Sequence, residues 1–218
     1  MKDESREEVF THREHRWLLI LPQSSDALIS DVEFARDERL PYWADLWPSS
    51  KALTRHLLDA PLAACDVLEI GCGVGLASLA VHATGGDPIA TDYEAEALRF
   101  ATRNVAANGF GPLRTMELDW RTPPADLHAD VVIGADVLYE RRNAEAIAAF
   151  LPRVVRPNGR AILADPQRPW RATFVDALGG RGWTVTESAT GDENGPTGRP
   201  TPIVLLICRP PVASTVPA

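Results

Sequence analysis

Acidic side chains bracket a run of closely spaced glycines in the stretch "EIGCGVGLASLAVHATGGDPIATD", residues 69–92. Gly71, Gly73 and Gly75 allow the backbone to turn tightly and to approach a ligand closely. Glu69 lies directly before the turn, where a carboxylate repels a pyrophosphate and attracts an ammonium or a sulfonium. The stretch therefore predicts a site for a ligand that carries positive charge.

Two common nucleotide-binding loops do not match this spacing. A dinucleotide fingerprint reads G-x-G-x-x-G/A, and its third position is Leu76 here. A phosphate-binding loop ends in Gly-Lys-Ser/Thr, which the stretch lacks. Asp92 ends the next predicted strand, where a carboxylate accepts hydrogen bonds from ribose hydroxyls. A ligand with a ribose, a positive centre and no phosphate is S-adenosylmethionine.

A third acidic position follows the next predicted strand, in Asp119-Trp120. An aspartate there can accept a hydrogen bond from an adenine amino group, and an indole can pack on the adenine ring. Core packing explains Trp120 equally well when it is taken alone. Acidic and aromatic groups at successive strand ends together strengthen the prediction of this ligand.

Short apolar segments alternate with helical ones along most of the chain and position these residues. The predicted strands include "CDVLEIG", "PIATD", "LRTMELDW", "ADVVIGADVLY" and "RAILADP", and helical segments separate most of them. Such alternation is typical of a doubly wound parallel sheet. The last two strands, "WTVTESAT" and "TPIVLLICRP", have no helix between them and must pair antiparallel. The sequence predicts an α/β fold whose mostly parallel sheet has an antiparallel C-terminal strand.

Composition limits the class of protein. The 218 residues carry a formal net charge of −8, which argues against a nucleic-acid partner. No apolar run reaches membrane-spanning length, and the charged N-terminus lacks a signal-peptide segment, so a cytoplasmic protein without a membrane partner is expected. The expected organisation is a flexible charged arm over residues 1–16, a single domain over 17–210 and a frayed tail over 211–218.

The motifs resemble those of the class I, or seven-β-strand, S-adenosylmethionine-dependent methyltransferases. "EIGCGVG", Asp92 and "LDW" are similar to the cofactor motifs of that class. "PYWADLWPSSKAL", "DVLY" and "DPQRP" are similar to the protein-lysine methyltransferases of the family-16 type. This branch includes the electron transfer flavoprotein β-subunit lysine methyltransferases and bacterial nicotinamide N-methylase-like proteins. The chain departs from the branch at Gln167, where glycine is typical.

The resemblance implies a seven-stranded Rossmann-like methyltransferase fold, S-adenosylmethionine as cofactor and no metal. It also implies a role for Asp136 and Tyr139, the Asp-x-x-Tyr pair after the fourth strand of the fold, in catalysis. The expected cofactor-binding residues are Trp47, Glu69, Gly71, Gly73, Gly75, Asp92, Asp119, Trp120 and Ala135. Trp43 is assigned neither to the cofactor nor to the anchoring of the N-terminal segment.

The chemistry expected of the pair is the delivery of an amine to the activated methyl group. A lysine side chain arrives protonated and must lose its proton before it attacks. Asp136 is predicted to attract and orient the ammonium, and Tyr139 to hydrogen-bond the amine. The alternative for the same residues is that Asp136 caps the following segment and Tyr139 fills the core.

The leading hypothesis is a methyltransferase whose partner is a protein presenting a lysine. A small-molecule amine N-methyltransferase of the same fold is the first alternative, and a non-catalytic S-adenosylmethionine-binding protein is the second. A nucleic-acid methyltransferase is disfavoured, because Val137 and Leu138 stand where base-methylating enzymes typically have prolines. The sequence predicts neither the oligomeric state nor the number of methyl groups transferred.

Overall fold

Seven strands form one sheet in the computed structural model of the protein, which describes residues 5–23, 41–195 and 198–212. The strands of this sheet are β3 (Val67–Ile70), β4 (Ile89–Asp92), β5 (Arg114–Glu117), β6 (Ala129–Ala135), β7 (Val155–Asp165), β8 (Thr184–Asn194) and β9 (Pro200–Arg209). Their spatial order is β5-β4-β3-β6-β7-β9-β8. The described helices are α1 (Pro48–Asp59), α2 (Leu76–Ala83), α3 (Ala95–Ala107), α4 (Arg141–Val154) and α5 (Arg171–Gly179), and a short 3-10 turn covers Tyr42–Ala44.

The direction of the strands confirms the predicted fold class. Strands β5, β4, β3, β6 and β7 pair parallel to one another. Strand β9 pairs antiparallel with both β7 and β8, so it is the one reversed strand of this sheet. The order of the strands changes direction between β3 and β6, and in such sheets ligands bind beyond the carboxyl ends of the strands at this point.

Two hydrophobic cores cover the two faces of the sheet. Alternate residues of a strand point to opposite faces, so Val131 and Ile133 of β6 belong to one core and Val132 to the other. Side chains of α1, α2 and α3 pack in the first core, and side chains of α4 and α5 pack in the second. No helix in the described ranges is long and apolar enough to cross a bilayer.

A β-hairpin replaces most of the predicted N-terminal arm. Strands β1 (Ser5–His12) and β2 (His15–Pro22) pair antiparallel, so the expectation of a flexible arm is wrong for residues 5–16. Phe10 and Trp17 stack across the hairpin with ring centroids 5.7 Å apart and are buried on the first core. Residues 1–4 and 213–218, which complete the predicted arm and tail, lie outside the described residues.

A buried asparagine links the hairpin to the glycine-rich turn of residues 71–75. Asn104 of α3 is fully buried, and its side-chain oxygen accepts a hydrogen bond from the Ile20 amide at 2.7 Å. Its side-chain nitrogen donates to the Ile20 carbonyl at 3.0 Å and to the Val74 carbonyl at 2.9 Å. Because Val74 lies between Gly73 and Gly75, the same side chain holds strand β2 and the glycine loop together.

Candidate active site

A cavity of about 340 Å³ opens at the carboxyl ends of the parallel strands. It brings together eight of the predicted site residues, which are Trp47, Gly71, Asp92, Asp119, Trp120, Ala135, Asp136 and Tyr139. Three other predicted residues, Glu69, Gly73 and Gly75, are not among the described residues that line it. The position matches the switch point of the sheet, where the fold predicts a ligand.

The three glycines of the loop have different surroundings. All have positive φ angles, of +61° at Gly71, +51° at Gly73 and +84° at Gly75, which favour glycine. A Cβ atom on Gly75 would lie 2.8 Å from Ala101 Cβ, so this glycine allows α3 to pack closely. A Cβ atom on Gly73 would lie 3.2 Å from the Trp43 carbonyl oxygen. Gly73 and Gly75 therefore shape the loop, and Gly71 lines the cavity.

Glu69 lies beneath the loop, away from the cavity lining. It is only 3% exposed, and its carboxylate accepts a short hydrogen bond from the Ser78 hydroxyl of α2. Burial raises the pKa of Glu69 to about 8, since the charged form loses its hydration. The observed contact is with α2, in contrast to the predicted contact with a positive ligand. The sequence pattern located the turn correctly but not the direction of this side chain.

Asp92 lines the cavity with a carboxylate that the backbone orients. The Gly73 amide donates to its Oδ2 at 2.9 Å, and the Glu94 amide donates to its Oδ1 at 3.1 Å. Burial raises the pKa of Asp92 to about 6, against the opposing effect of these backbone hydrogen bonds. A carboxylate has about four lone-pair positions, so each oxygen can accept a further hydrogen bond from a ligand.

Asp119 and Trp120 line the cavity beside the loop, as predicted. The Asp119 carboxylate forms a bidentate ion pair with the Arg121 guanidinium, with its shortest N···O distance at 2.7 Å. The buried indole Nε1 of Trp120 has no hydrogen-bond partner among the residues that the structure describes. Its ring would lie 3.6 Å from a Cβ atom on Gly71. Trp120 thus presents an unused donor next to the glycine loop.

Asp136 has the left-handed conformation, with φ of +56°, and its side chain lies in the cavity wall. Arg168 donates to both carboxylate oxygens, from Nε to Oδ1 at 2.8 Å and from Nη2 to Oδ2 at 3.0 Å. Arg168 also lines the cavity, and its guanidinium lies 5.8 Å from the Trp47 ring centroid. Asp136 is therefore one half of an ion pair, which the sequence did not predict.

The turn that carries Arg168 is held by a second acid. Asp165 ends β7, and its Oδ1 accepts a hydrogen bond from the Arg168 amide at 2.8 Å. Its Oδ2 is buried without a partner in the described part of the chain, and burial raises the pKa of Asp165 to about 6. Gln167 has φ of +60°, a left-handed conformation that favours glycine.

Three aromatic rings close one side of the cavity. The indole Nε1 of Trp47 donates to the Tyr42 carbonyl at 2.7 Å. The Tyr42 ring contacts those of Trp47 and Tyr139 edge to face, with centroids 6.0 Å and 5.2 Å away. Trp43 lines the cavity and also packs on Phe100 of α3, at 5.6 Å between centroids. Trp43 therefore both lines the cavity and anchors its segment on α3.

Other residues of the cavity wall were missed by the sequence analysis. Tyr42 belongs to the aromatic run "PYWADLW", and Tyr93 and Glu94 directly follow Asp92, so their positions in the motifs were a usable signal. The motifs "LDW", "DVLY" and "DPQRP" contain three more of them, which are Leu118, Val137 and Arg168. The remaining missed residues carry no such signal, because they come from the loop after β5, from the β6–α4 connection and from α4. They are Arg121, Glu140, Arg142, Asn143 and Ala146.

Comparisons with known proteins agree with this geometry. The chain is 33% identical over 136 residues to the electron transfer flavoprotein beta subunit lysine methyltransferase of Rattus norvegicus, covering 59% of this chain and 52% of that protein. It is 31% identical over 147 residues to the ribosomal protein L11 methyltransferase of Thermus thermophilus, covering 66% of this chain and 53% of that protein. The chain therefore spans about half the length of these curated relatives.

A solved structure has the same fold. The glycopeptide N-methyltransferase MtfA complexed with sinefungin superposes with a TM-score of 0.59 at 14% identity, covering 78% of this chain and 96% of that one. A family model described as lysine methyltransferase matches residues 34–178, which is more than half of the chain. The predicted family is confirmed, and the chain belongs to the lysine methyltransferase family.

Proposed function

We propose that this protein is an S-adenosylmethionine-dependent N-methyltransferase that methylates a lysine side chain of a protein partner. The observation that carries the proposal is that a single cavity holds both predicted halves of the site. Asp92 and Trp120 lie on the cofactor side, and Asp136 and Tyr139 lie at the end of the central strand β6. The cavity can therefore hold a cofactor and an amine next to each other.

S-adenosylmethionine is the cofactor that family membership implies, and the described residues fit it. Asp92 has lone pairs left for ribose hydroxyls, and the Trp120 indole has an unused donor beside the glycine loop. Among the described lining residues, five carboxylates stand against three guanidinium groups. This excess of negative charge suits a sulfonium. When bound, the cofactor supplies a methyl group that is already activated.

Once the cofactor is bound, the residues of this chain have three roles. They orient the amine in line with the methyl group, exclude water and favour the uncharged form of the nitrogen. The rings of Tyr42, Trp47 and Tyr139 offer an apolar wall to the aliphatic part of a lysine side chain. Asp136 and Tyr139 offer polar atoms to its nitrogen. No covalent intermediate on the protein is needed for a direct displacement.

The choice of a protein substrate rests on the relatives. The rat protein is named for lysine methylation of the electron transfer flavoprotein beta subunit, and the Thermus protein for methylation of ribosomal protein L11. A formal net charge of −8 and an acidic cavity wall suit a partner that presents a basic side chain. We place the reaction in the cytoplasm and expect neither nucleic acid nor a membrane as partner.

The experiment is the transfer of radiolabelled methyl groups from S-adenosylmethionine into an extract of source cells that lack the gene. Such an extract contains unmethylated acceptor, and its products are separated by size. The wild-type protein should label a discrete protein band, whereas Asp136→Asn should not. Asp176→Asn, a change at an exposed position of α5, is the matched control and should label the band normally.

The fraction that carries the label decides between the candidate functions. Label confined to small molecules would replace the proposal with a metabolite amine methyltransferase. Binding of the cofactor with no transfer to either fraction would favour the non-catalytic alternative. An equal signal from Asp136→Asn would contradict the role of Asp136 while leaving the activity itself in place.

A further inference from the structure

Arg168 makes the closest polar contacts that the structure gives to the Asp136 carboxylate. The N···O distances of the ion pair are 2.8 Å and 3.0 Å, and the exposed fractions of the two side chains are 33% for Arg168 and 6% for Asp136. Bidentate ion pairs of this kind are stronger than single hydrogen bonds and fix the orientation of both groups. Any amine that reaches Asp136 therefore meets a carboxylate that is already neutralised.

An unpaired carboxylate in this position would oppose the reaction. A negative charge near an amine stabilises the ammonium form, and burial alone has to overcome that effect. The ammonium has no lone pair, so its proton must pass to water before the nitrogen can form the new N–C bond as the C–S bond electrons return to sulfur. A carboxylate that only attracts the ammonium would hold the substrate in its unreactive form.

We propose that Arg168 is a positioning residue for methyl transfer, which neutralises Asp136 so that the pocket holds the attacking amine uncharged and in line. The carboxylate keeps lone pairs that can accept a hydrogen bond from a neutral amine while both guanidinium contacts persist. This inference rests on the proposed function, because it requires an amine substrate. It also revises the role predicted for Asp136 from attracting an ammonium to orienting an amine.

The surroundings of Arg168 keep the guanidinium in place. The Asp165 carboxylate holds the Arg168 amide, and the Trp47 ring lies 5.8 Å from the guanidinium. The hydrogen bond to Asp136 is the main cause that raises the pKa of Arg168, so the guanidinium stays charged throughout the range of an assay. A positive charge beside the amine lowers the pKa of that amine further.

Other ionisable groups near the Asp136–Arg168 pair can also alter the pH profile, so their contributions have to be distinguished from that of Arg168. The groups that act on Arg168 or on its turn are Asp165, Tyr42 and Arg171. The other ionisable residues of its cavity wall are Asp92, Tyr93, Glu94, Asp119, Arg121, Tyr139, Glu140 and Arg142. Asp165 and Asp92 have pKa values raised to about 6, which lie within an assay range. A background variant, Asp165→Asn, removes the titration of Asp165, and Asp92 is common to every variant compared.

The test is the pH dependence of kcat, which reports ionisations in the enzyme–substrate complex. The substrate is the unmethylated acceptor protein purified from the cells that lack the gene. In Arg168→Gln the rising limb of the profile should move up by about one pH unit or more. Arg168→Lys should keep the midpoint of the wild type and lower kcat, because lysine retains the charge but loses the bidentate geometry.

Two controls accompany these variants. Arg99→Gln removes an exposed arginine of α3, which pairs with Glu96 at 2.7 Å outside the cavity, and should leave kcat and its midpoint unchanged. Arg168→Gln in the Asp165→Asn background should show the same upward shift. Binding of S-adenosylhomocysteine checks that each variant is folded, and Arg168→Met replaces Arg168→Gln if the latter does not fold.

The outcomes separate this inference from the proposed function. If Arg168→Gln loses kcat while its midpoint stays at that of the wild type, Arg168 has only a structural role and the inference is overturned. The same conclusion follows if Arg168→Lys shifts as far as Arg168→Gln. If the wild-type protein transfers no methyl group to any amine, the proposed function is wrong, and this inference, which depends on it, is wrong as well.

Discussion

The amide of Gly73 donates a hydrogen bond to Asp92 Oδ2 at 2.9 Å, which ties the middle of the glycine loop to the end of the neighbouring strand β4. The Glu94 amide holds the other oxygen of the same carboxylate at 3.1 Å. The acid that faces the cavity is thus oriented by backbone groups from two separate turns. A change in the loop should therefore alter ligand binding through Asp92 as well as by direct contact.

Gly73→Ala should weaken the binding of S-adenosylhomocysteine by tenfold or more, a change of about 1.4 kcal/mol or more. The new Cβ atom would lie 3.2 Å from the Trp43 carbonyl at a φ angle of +51°. The loop must shift, and the Asp92 carboxylate shifts with it. Isothermal calorimetry measures the affinity, and thermal melting without ligand measures the cost to the fold.

Gly109→Ala is the matched control for this change. Gly109 has a φ angle of +82°, but a Cβ atom there would meet nothing within 4 Å. It should cost about 1–2 kcal/mol of stability through the left-handed conformation, with no loss of affinity. Equal affinities of the two variants for S-adenosylhomocysteine would contradict the assignment of the glycine loop to the binding site.

Trp120→Phe should weaken S-adenosylhomocysteine binding severalfold without lowering the melting temperature of the free protein. The indole donor has no partner among the described residues, so its removal costs the free protein no hydrogen bond. Trp183→Phe, a change in the same core but outside the cavity lining, should do the reverse and lower the melting temperature alone. Normal affinity of Trp120→Phe for S-adenosylhomocysteine would show that Trp120 has only a packing role.

Glu69→Gln should make the unfolding free energy less sensitive to pH. The folded pKa of Glu69 is about 8 and the unfolded one about 4.3, so the folded state binds the proton more tightly. This carboxyl group therefore stabilises the fold most at low pH and makes stability fall as pH rises between those values, by about 1.4 kcal/mol per unit. Glutamine keeps an acceptor for Ser78 but cannot ionise.

Urea denaturation of the ligand-free protein at pH 5 and pH 8 measures this effect. The variant should gain stability relative to the wild type by a few kcal/mol between the two conditions. Glu117→Gln, at an exposed position of β5, should show no such relative gain. A constant difference between Glu69→Gln and the wild type would contradict the burial-raised pKa.

Asn104→Ala should destabilise the protein by about 2–4 kcal/mol, since it leaves buried groups of Ile20 and Val74 without their partner. Because Val74 lies in the glycine loop, S-adenosylhomocysteine affinity should fall as well. Asn158→Ala, at an exposed position of β7, is the control and should change neither quantity. A stable Asn104→Ala variant would contradict the proposed link between hairpin and loop.

The periodic parts of the fold were predictable from sequence. Buried strands such as Val67–Ile70 are short apolar runs between turn residues, and their order along the chain determines a parallel sheet. The N-terminal hairpin was missed because Ser5–His12 is rich in charge and buries only Phe10. The turn of this hairpin also lacks the glycine or asparagine that would indicate a turn in the sequence. Arg13 has the positive φ angle there, +51°.

The candidate site was predictable where one motif carries both the turn and the side chain. Asp92 ends β4, and Asp119 and Trp120 come two and three residues after β5, so their place at the cavity depends on local sequence alone. The pairing of Asp136 with Arg168 was not predictable, because 32 positions and a helix separate them. The inward direction of Glu69 depends on Ser78 of the packed helix α2, which a strand pattern does not indicate.

The proposed activity is the transfer of a methyl group to a lysine side chain. The most direct measurement is the hydrolysis of the radiolabelled acceptor protein to amino acids, followed by separation against methylated standards. The label should travel with mono-, di- or trimethyllysine, and the Asp136→Asn variant should yield none. Label on methylated arginine, or label released as methanol from an ester or as methylamine from a glutamine amide, would contradict this activity.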